Sequence, residues 1–242
     1  MTGLPATEAL FRADPYARSC AARITGHADG ALAVSASVFY PSGGGQPGDS
    51  GHLHWQGGVI AITDCTKLGD AIVLHPVEGA QLPPVGQEVR LELDWTRRHS
   101  HMRVHTALHL LSVVVPLPVT GGQIAAGKGR LDFDMPEAPQ DKAALEEALN
   151  ALIGQDLPVT EDWITDAELA ANPGLVKTMA VKPPAGQGRV RMIGIGEGAA
   201  RIDWQPCGGT HVARTGEIGT LRLGKIEKKG KTNRRVQILL EG

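Results

Sequence analysis

The 31 glycines and 16 prolines of this chain are spread along its whole length. Both residues interrupt helices and favour turns, so they cut the chain into short segments. Helices are confined to the few stretches they spare, and many short strands are expected elsewhere. The first third fits that reading. Residues 31–39 (ALAVSASVF) alternate at period two, as a half-buried strand does. Residues 59–64, 71–74 and 88–94 read as further strands between Gly and Pro clusters. With no convincing helix among them, they predict a small glycine-rich β domain, barrel-like or a sandwich, over residues 1–94.

The pattern changes between Asp94 and Trp95. Residues 96–115 (TRRHSHMRVHTALHLLSVVV) have helical spacing, with Met102, Val104, Leu108, Leu111 and Val115 on a broad inward stripe and Pro116 ending the run. A second helix is expected over 141–154, with Asp141 near its start and Gly154 past its end. Strand-like segments follow at 159–164, 189–195, 218–226 and 235–240. Residues 95–242 therefore predict an α+β domain.

A composition of 42% apolar and 21% charged residues excludes intrinsic disorder. The formal charge of −2 excludes a chain that is basic all over. Its distribution is uneven. Between residues 214 and 235, Arg214, Arg222, Lys225, Lys228, Lys229, Lys231, Arg234 and Arg235 face only Glu217 and Glu227, a local charge of +6. Such clustering suits phosphate contacts, and a solvated hairpin tip is the competing reading. Arg97, Arg98 and Arg103 add positive charge at the start of the first helix. Two tyrosines and three phenylalanines do not make a base-stacking platform, so recognition of nucleic acid would rest on backbone and shape. Three cysteines do not make a disulfide framework. No apolar run approaches the roughly 18 residues of a membrane span, and the N-terminal residues lack an apolar core of signal length. A cytoplasmic protein with no membrane partner and no evident obligate protein partner is expected.

The sharpest chemistry lies in His105-Thr-Ala-Leu-His109, inside the first helix. Positions i and i+4 stack on one helix face, so both imidazoles can reach one ion. The second position is Thr106, where a zincin protease needs a glutamate base, which excludes peptide hydrolysis by that route. Cys207-Gly-Gly-Thr-His211, beginning 98 residues after His109, offers a thiolate and an imidazole across a tight turn. One thiolate with imidazoles is donor chemistry that zinc prefers. Together the two pairs predict a shared Zn2+ site built from His105, His109, Cys207 and His211. Ligands this far apart are unlike those of a zinc finger. The remaining histidines lack ligand-like partners nearby, although His101 lies one turn before His105.

These segments resemble the free-standing alanyl-tRNA editing proteins, the AlaX family. The family is related to the editing domain of alanyl-tRNA synthetase and, more distantly, to that of threonyl-tRNA synthetase. The resemblance runs through FYPSGGGQPGDSGHL at 39–53, RRHSHMRVHTALHLL at 97–111, PVTGGQI at 118–124, KGRLDF at 128–133, QPCGGTHVARTGEIG at 205–219 and GKIEKKGKTNRRV at 224–236. The length fits the medium form, a glycine-rich domain followed by an editing domain with a mainly antiparallel sheet and a metal-bearing helix. The resemblance implies hydrolysis in trans of Ser-tRNA(Ala), with Gly-tRNA(Ala) as a further candidate, at the acceptor end of tRNA(Ala). It gives Gln46 a role in orienting water or the amino acid, since an amide is no base at neutral pH. Gly43, Gly44 and Gly45 would permit close approach of backbone to substrate, or would simply form a hairpin connection. Thr106 is a candidate to bond the seryl hydroxyl or its own backbone. Thr120 and Gln123 are candidates to line the amino-acid pocket, and the basic residues above would grip tRNA. A non-catalytic zinc-containing tRNA-binding module, or a deacylase of another pair such as Ser-tRNA(Thr), stays open on the sequence alone.

Overall fold

Residues 31–34 are buried on both faces, not on one as their alternation predicts. Leu32 and Val34 join a core with Ile24, Leu53, Ile62, Leu74 and Leu91. Ala31 and Ala33 pack on the other side with Val73 and Leu4. The strand also ends at Val34 rather than running to residue 39. A second layer over the outer face, supplied by Leu4, explains why small alanines occupy positions that alternation reads as solvent-facing.

The structure is a computed structural model describing residues 3–139, 141–179 and 188–241. It divides into two compact units, Met1–His99 and Ser100–Gly242. In the first unit, β1 (Glu8–Ala9) leads into α1 (Leu10–Ala13), followed by β2 (Ser19–Ala28), β3 (Ala31–Val34) and β4 (Ala36–Ser37). Next come β5 (Gly51–Trp55), β6 (Gly58–Leu68), β7 (Ala71–Pro76) and β8 (Glu88–Leu93). Six of them close into a barrel in the order β2-β3-β7-β6-β5-β8, every pairing antiparallel. The closing seam sets Ser19–Arg23 of β2 against Glu88–Glu92 of β8. The strands expected at 59–64, 71–74 and 88–94 lie in β6, β7 and β8, whereas β2 and β5 carry too few large apolar residues to stand out in the sequence.

Helix α2 (Trp95–Val114) carries the chain from one unit into the other. Asp94 starts it, its carboxylate accepting the Arg97 N–H at 3.0 Å. The second unit continues with β9 (Val119–Ala125), β10 (Lys128–Asp134) and α3 (Lys142–Gly154), the last capped by Asp141, which accepts the Ala144 N–H at 2.9 Å. Then follow β11 (Val159–Thr165), α4 (Asp166–Ala171), β12 (Arg189–Ile195), β13 (Asp203–Pro206), β14 (Leu221–Lys228) and β15 (Asn233–Leu240). Two antiparallel sheets result, β14-β15-β10-β9 and β11-β12-β13. From His101 to Ser112 all but Arg103 are buried on α2. At Gly129 of β10 a Cβ would stand 2.5 Å from Val104 Cγ1, so only glycine lets this strand seat against the helix. Helix α3 caps the outer edge of β14. Asn150 exchanges hydrogen bonds with the Leu221 backbone at 2.9 and 3.0 Å, and Glu146 accepts the Leu223 N–H at 2.7 Å. Among the described residues no helix is long and apolar enough to cross a membrane.

Candidate metal centre

Helical spacing brings His105 and His109 to the same face of α2, with ring centroids 5.4 Å apart. The Gly208-Gly209 turn after β13 folds back so that Cys207 Sγ lies 3.3 Å from His211 Nε2 and 3.4 Å from His105 Nε2. The donor atoms of all four residues lie within 4.8 Å of one another. The three imidazoles are at least nine-tenths buried. Three imidazole nitrogens and one sulfur at this spacing fit a tetrahedral zinc ion by number, type and convergence.

The turn is clamped from behind. Arg191 of β12 donates to the carbonyls of Cys207 and Gly209 at 3.0 and 2.9 Å, and to Glu161 of β11 at 2.6 Å. The Thr106 hydroxyl accepts the Val212 N–H at 3.3 Å and pairs with His211 Nδ1 at 3.2 Å. His109 Nδ1 pairs with Asp203 at 2.9 Å. These bonds leave Nε2 of both histidines turned toward the sulfur.

Burial opposes a thiolate at Cys207, but the flanking His105 and His211 imidazoles hold it well below the ordinary thiol range. Burial and the neighbouring His105 push His211 down to about 3. Burial also pushes against charge on His109, yet the Asp203 carboxylate and the Cys207 sulfur raise it to about 9. A deprotonated sulfur beside a neutral imidazole is the state in which these groups ligate metal, and an ion would displace the proton on His109 Nε2.

The other predicted residues belong to the glycine turn of the first unit, to α2 and to β9. Gly43 and Gln46 exchange backbone hydrogen bonds at 3.0 Å in both directions, and Gly44 and Gly45 take φ of 58° and 84° between them. That is a two-residue hairpin turn needing positive φ twice, with the Gln46 side chain buried in the first unit. Thr106 is fully buried, with its hydroxyl bonded to His211 and Val212. Thr120 donates to the Asp132 carbonyl and accepts from Asn233, and exposed Gln123 accepts from Arg130.

Among the basic residues, Arg98 is the clear correction. It is completely buried in the first unit, donating to Asp49, to the Pro15 carbonyl and to the Val38 carbonyl, so no phosphate can reach it. Arg97 donates to the Gly48 carbonyl, and Arg103 to the Ile218 carbonyl. Arg235 pairs with Asp132, Arg234 donates to the Pro136 carbonyl, and Lys229 pairs with Glu227. Lys225, Lys228 and Lys231 are exposed on β14 and the turn after it.

Sequence reasoning missed the groups behind the donors. Residues 203, 205 and 207 alternate at strand period, so Asp203, Gln205 and Cys207 share one face of the segment. That signal marks Asp203 in advance. Ser112 falls on the helical stripe of His105 and His109, and Lys177 carries no comparable signal.

Residues 190–237 match the family described as "Threonyl and Alanyl tRNA synthetase second additional domain", and residues 8–97 match "tRNA synthetases class II (A)". An alanine–tRNA ligase of Pyrobaculum neutrophilum is 38% identical over 93% of this chain, and one of Pyrococcus abyssi 32% identical over 93%. The chain spans about a quarter of the length of each ligase, 26% and 25%. The alanyl-tRNA editing protein AlaX-M of Methanosarcina acetivorans is 33% identical, the match covering 97% of this chain and 99% of that protein. Similarity sustained end to end along a relative of the same size, and not only along a fragment of a ligase, places the chain in the family of AlaX-M alanyl-tRNA editing proteins.

Proposed function

We propose that the chain is an aminoacyl-tRNA deacylase that edits mischarged tRNA(Ala) in trans, hydrolysing the ester of Ser-tRNA(Ala). The observation carrying this reading is the convergence of four N and S donors within 4.8 Å, three of them on buried histidines, in a chain matched end to end by an alanyl-tRNA editing protein. His105, His109, Cys207 and His211 would hold Zn2+. When bound, such an ion supplies Lewis-acid polarisation of an ester carbonyl or a fixed point for the substrate. The ester is intrinsically labile, so orientation of water and substrate carries much of the work left to the protein. Gln46 is assigned to orientation, with Gly43, Gly44 and Gly45 fixing the turn that presents it. Thr106 is assigned to holding His211. Thr120 and Gln123 are assigned to the amino-acid pocket, where accepting serine and rejecting alanine requires polar groups that only serine satisfies.

A panel of charged tRNAs with a metal assay alongside tests this. Purified protein of measured zinc content should release serine from Ser-tRNA(Ala) and leave Ala-tRNA(Ala) intact. Protein that holds zinc and releases no serine overturns the reading, and faster release from Ser-tRNA(Thr) moves it to another pair. Tight tRNA binding without turnover, unaffected by Cys207→Ala, would make the chain a binding module.

The tRNA grip is assigned to the β14–β15 hairpin, where Lys225, Lys228 and Lys231 project into solvent. Each phosphate contact contributes roughly 0.7–0.9 to the slope of log affinity against log salt. Lys228→Ala and Lys231→Ala should therefore each flatten that slope by about 0.7–0.9, read by filter binding across a salt series.

A further inference from the structure

The Asp203 side chain is completely buried behind the donor set, and three groups converge on it. His109 Nδ1 lies 2.9 Å from Oδ2, Gln205 Nε2 lies 2.8 Å from the same oxygen, and Lys177 Nζ lies 2.5 Å from Oδ1. Ser112 Oγ accepts from both Lys177 and Gln205 at 3.3 Å and donates to the His109 carbonyl at 2.8 Å. A buried carboxylate is tolerable only when its charge is matched and its lone pairs are used, and this one has both. Lys177 is itself held in place, since its segment pairs with β9 through Val119 at 2.9 and 2.8 Å.

The partners of the two histidines differ in kind. A threonine hydroxyl both gives and takes a proton, so Thr106 orients the His211 ring without choosing its tautomer. A carboxylate only accepts. We infer that Asp203 is a positioning residue for the metal centre, holding the proton of His109 on Nδ1 so that Nε2 presents its lone pair to the ion, with Lys177 as its fixed counter-charge. This rests on the zinc reading above and deepens it.

Asp203→Asn is the discriminating variant. It preserves shape and keeps one acceptor, but its new N–H donors also suit the opposite tautomer, which cannot ligate through Nε2. Zinc affinity, measured by competition with a chromogenic chelator, should fall about 10- to 100-fold. In the zinc-loaded wild type, 15N imidazole spectra should show His109 ligating through Nε2 with a slowly exchanging Nδ1–H, and the variant should lose that slow exchange. A variant that binds zinc as tightly as wild type overturns the inference alone. If Asp203→Asn fails to fold, the wild-type spectrum decides, because ligation of His109 through Nδ1 overturns the assignment. A wild type that holds no zinc overturns the zinc reading and this inference with it.

Discussion

His105→Ala should abolish deacylation of Ser-tRNA(Ala) while tRNA affinity stays almost unchanged. His105 is buried, and its Nε2 lies 3.4 Å from Cys207 Sγ, so the substitution leaves three of the four donors. Loss of metal-assisted charge stabilisation is worth several kcal/mol, hence a fall of about a thousandfold in single-turnover rate. Affinity should be spared because phosphate contacts set it, and the exposed lysines of the β14–β15 hairpin are not touched. The pair of measurements is single-turnover deacylation and filter binding of uncharged tRNA. Equal loss in both would mean that the ion holds the fold together and does not act in the chemistry.

Asp49→Ala should cost the first unit about 3–5 kcal/mol, the usual penalty for orphaning a buried charge. Both members of the Asp49–Arg98 pair are completely buried. Oδ2 of Asp49 accepts from Arg98 Nε at 2.9 Å and from the Tyr40 N–H at 2.6 Å. Arg98→Met should cost less. It leaves a carboxyl that can take up a proton, and burial already pushes Asp49 above the usual carboxylate range, against the pull of Arg98. A guanidinium has no such escape. Urea denaturation of the two variants reads the asymmetry, and losses below about 1 kcal/mol in both would show that the pair contributes little.

Arg98 also shows where reading the sequence fails. In RRHSHMR it looks like one of several surface cations, and a basic residue ahead of a metal-bearing helix suggests RNA. Yet residues 98, 102, 105, 109 and 112 follow three- and four-residue steps, so Arg98 lies on the buried stripe with Met102 and the two ligand histidines. Periodicity taken without regard to charge would have found it. The strand at 189–195 and the α3 cap at Asp141 were legible because a short apolar run and a capping residue are local signals. Closure of the barrel was not, since it depends on residues near 20 meeting residues near 90. Strand β9 was hidden by Gly121 and Gly122, which remove two side chains from the middle of its alternation. The donor residues stood out because metal chemistry admits few side-chain types. The carboxylate behind them did not, because aspartate has many other uses.

Barrel closure and the capping of β14 have a consequence for how the molecule keeps to itself. A closed ring of six strands has no free rim to template another chain. The four-stranded sheet of the second unit is open, with β14 at one side. Asn150 and Glu146 occupy the backbone groups of Leu221 and Leu223 there. Beyond them the strand carries exposed Lys225 and Lys228, the charge that natural proteins use to discourage edge-to-edge aggregation. Lys225 and Lys228, assigned above to gripping tRNA, would thus also shield this edge, and replacing both at once should weaken RNA binding and favour edge-to-edge self-association together.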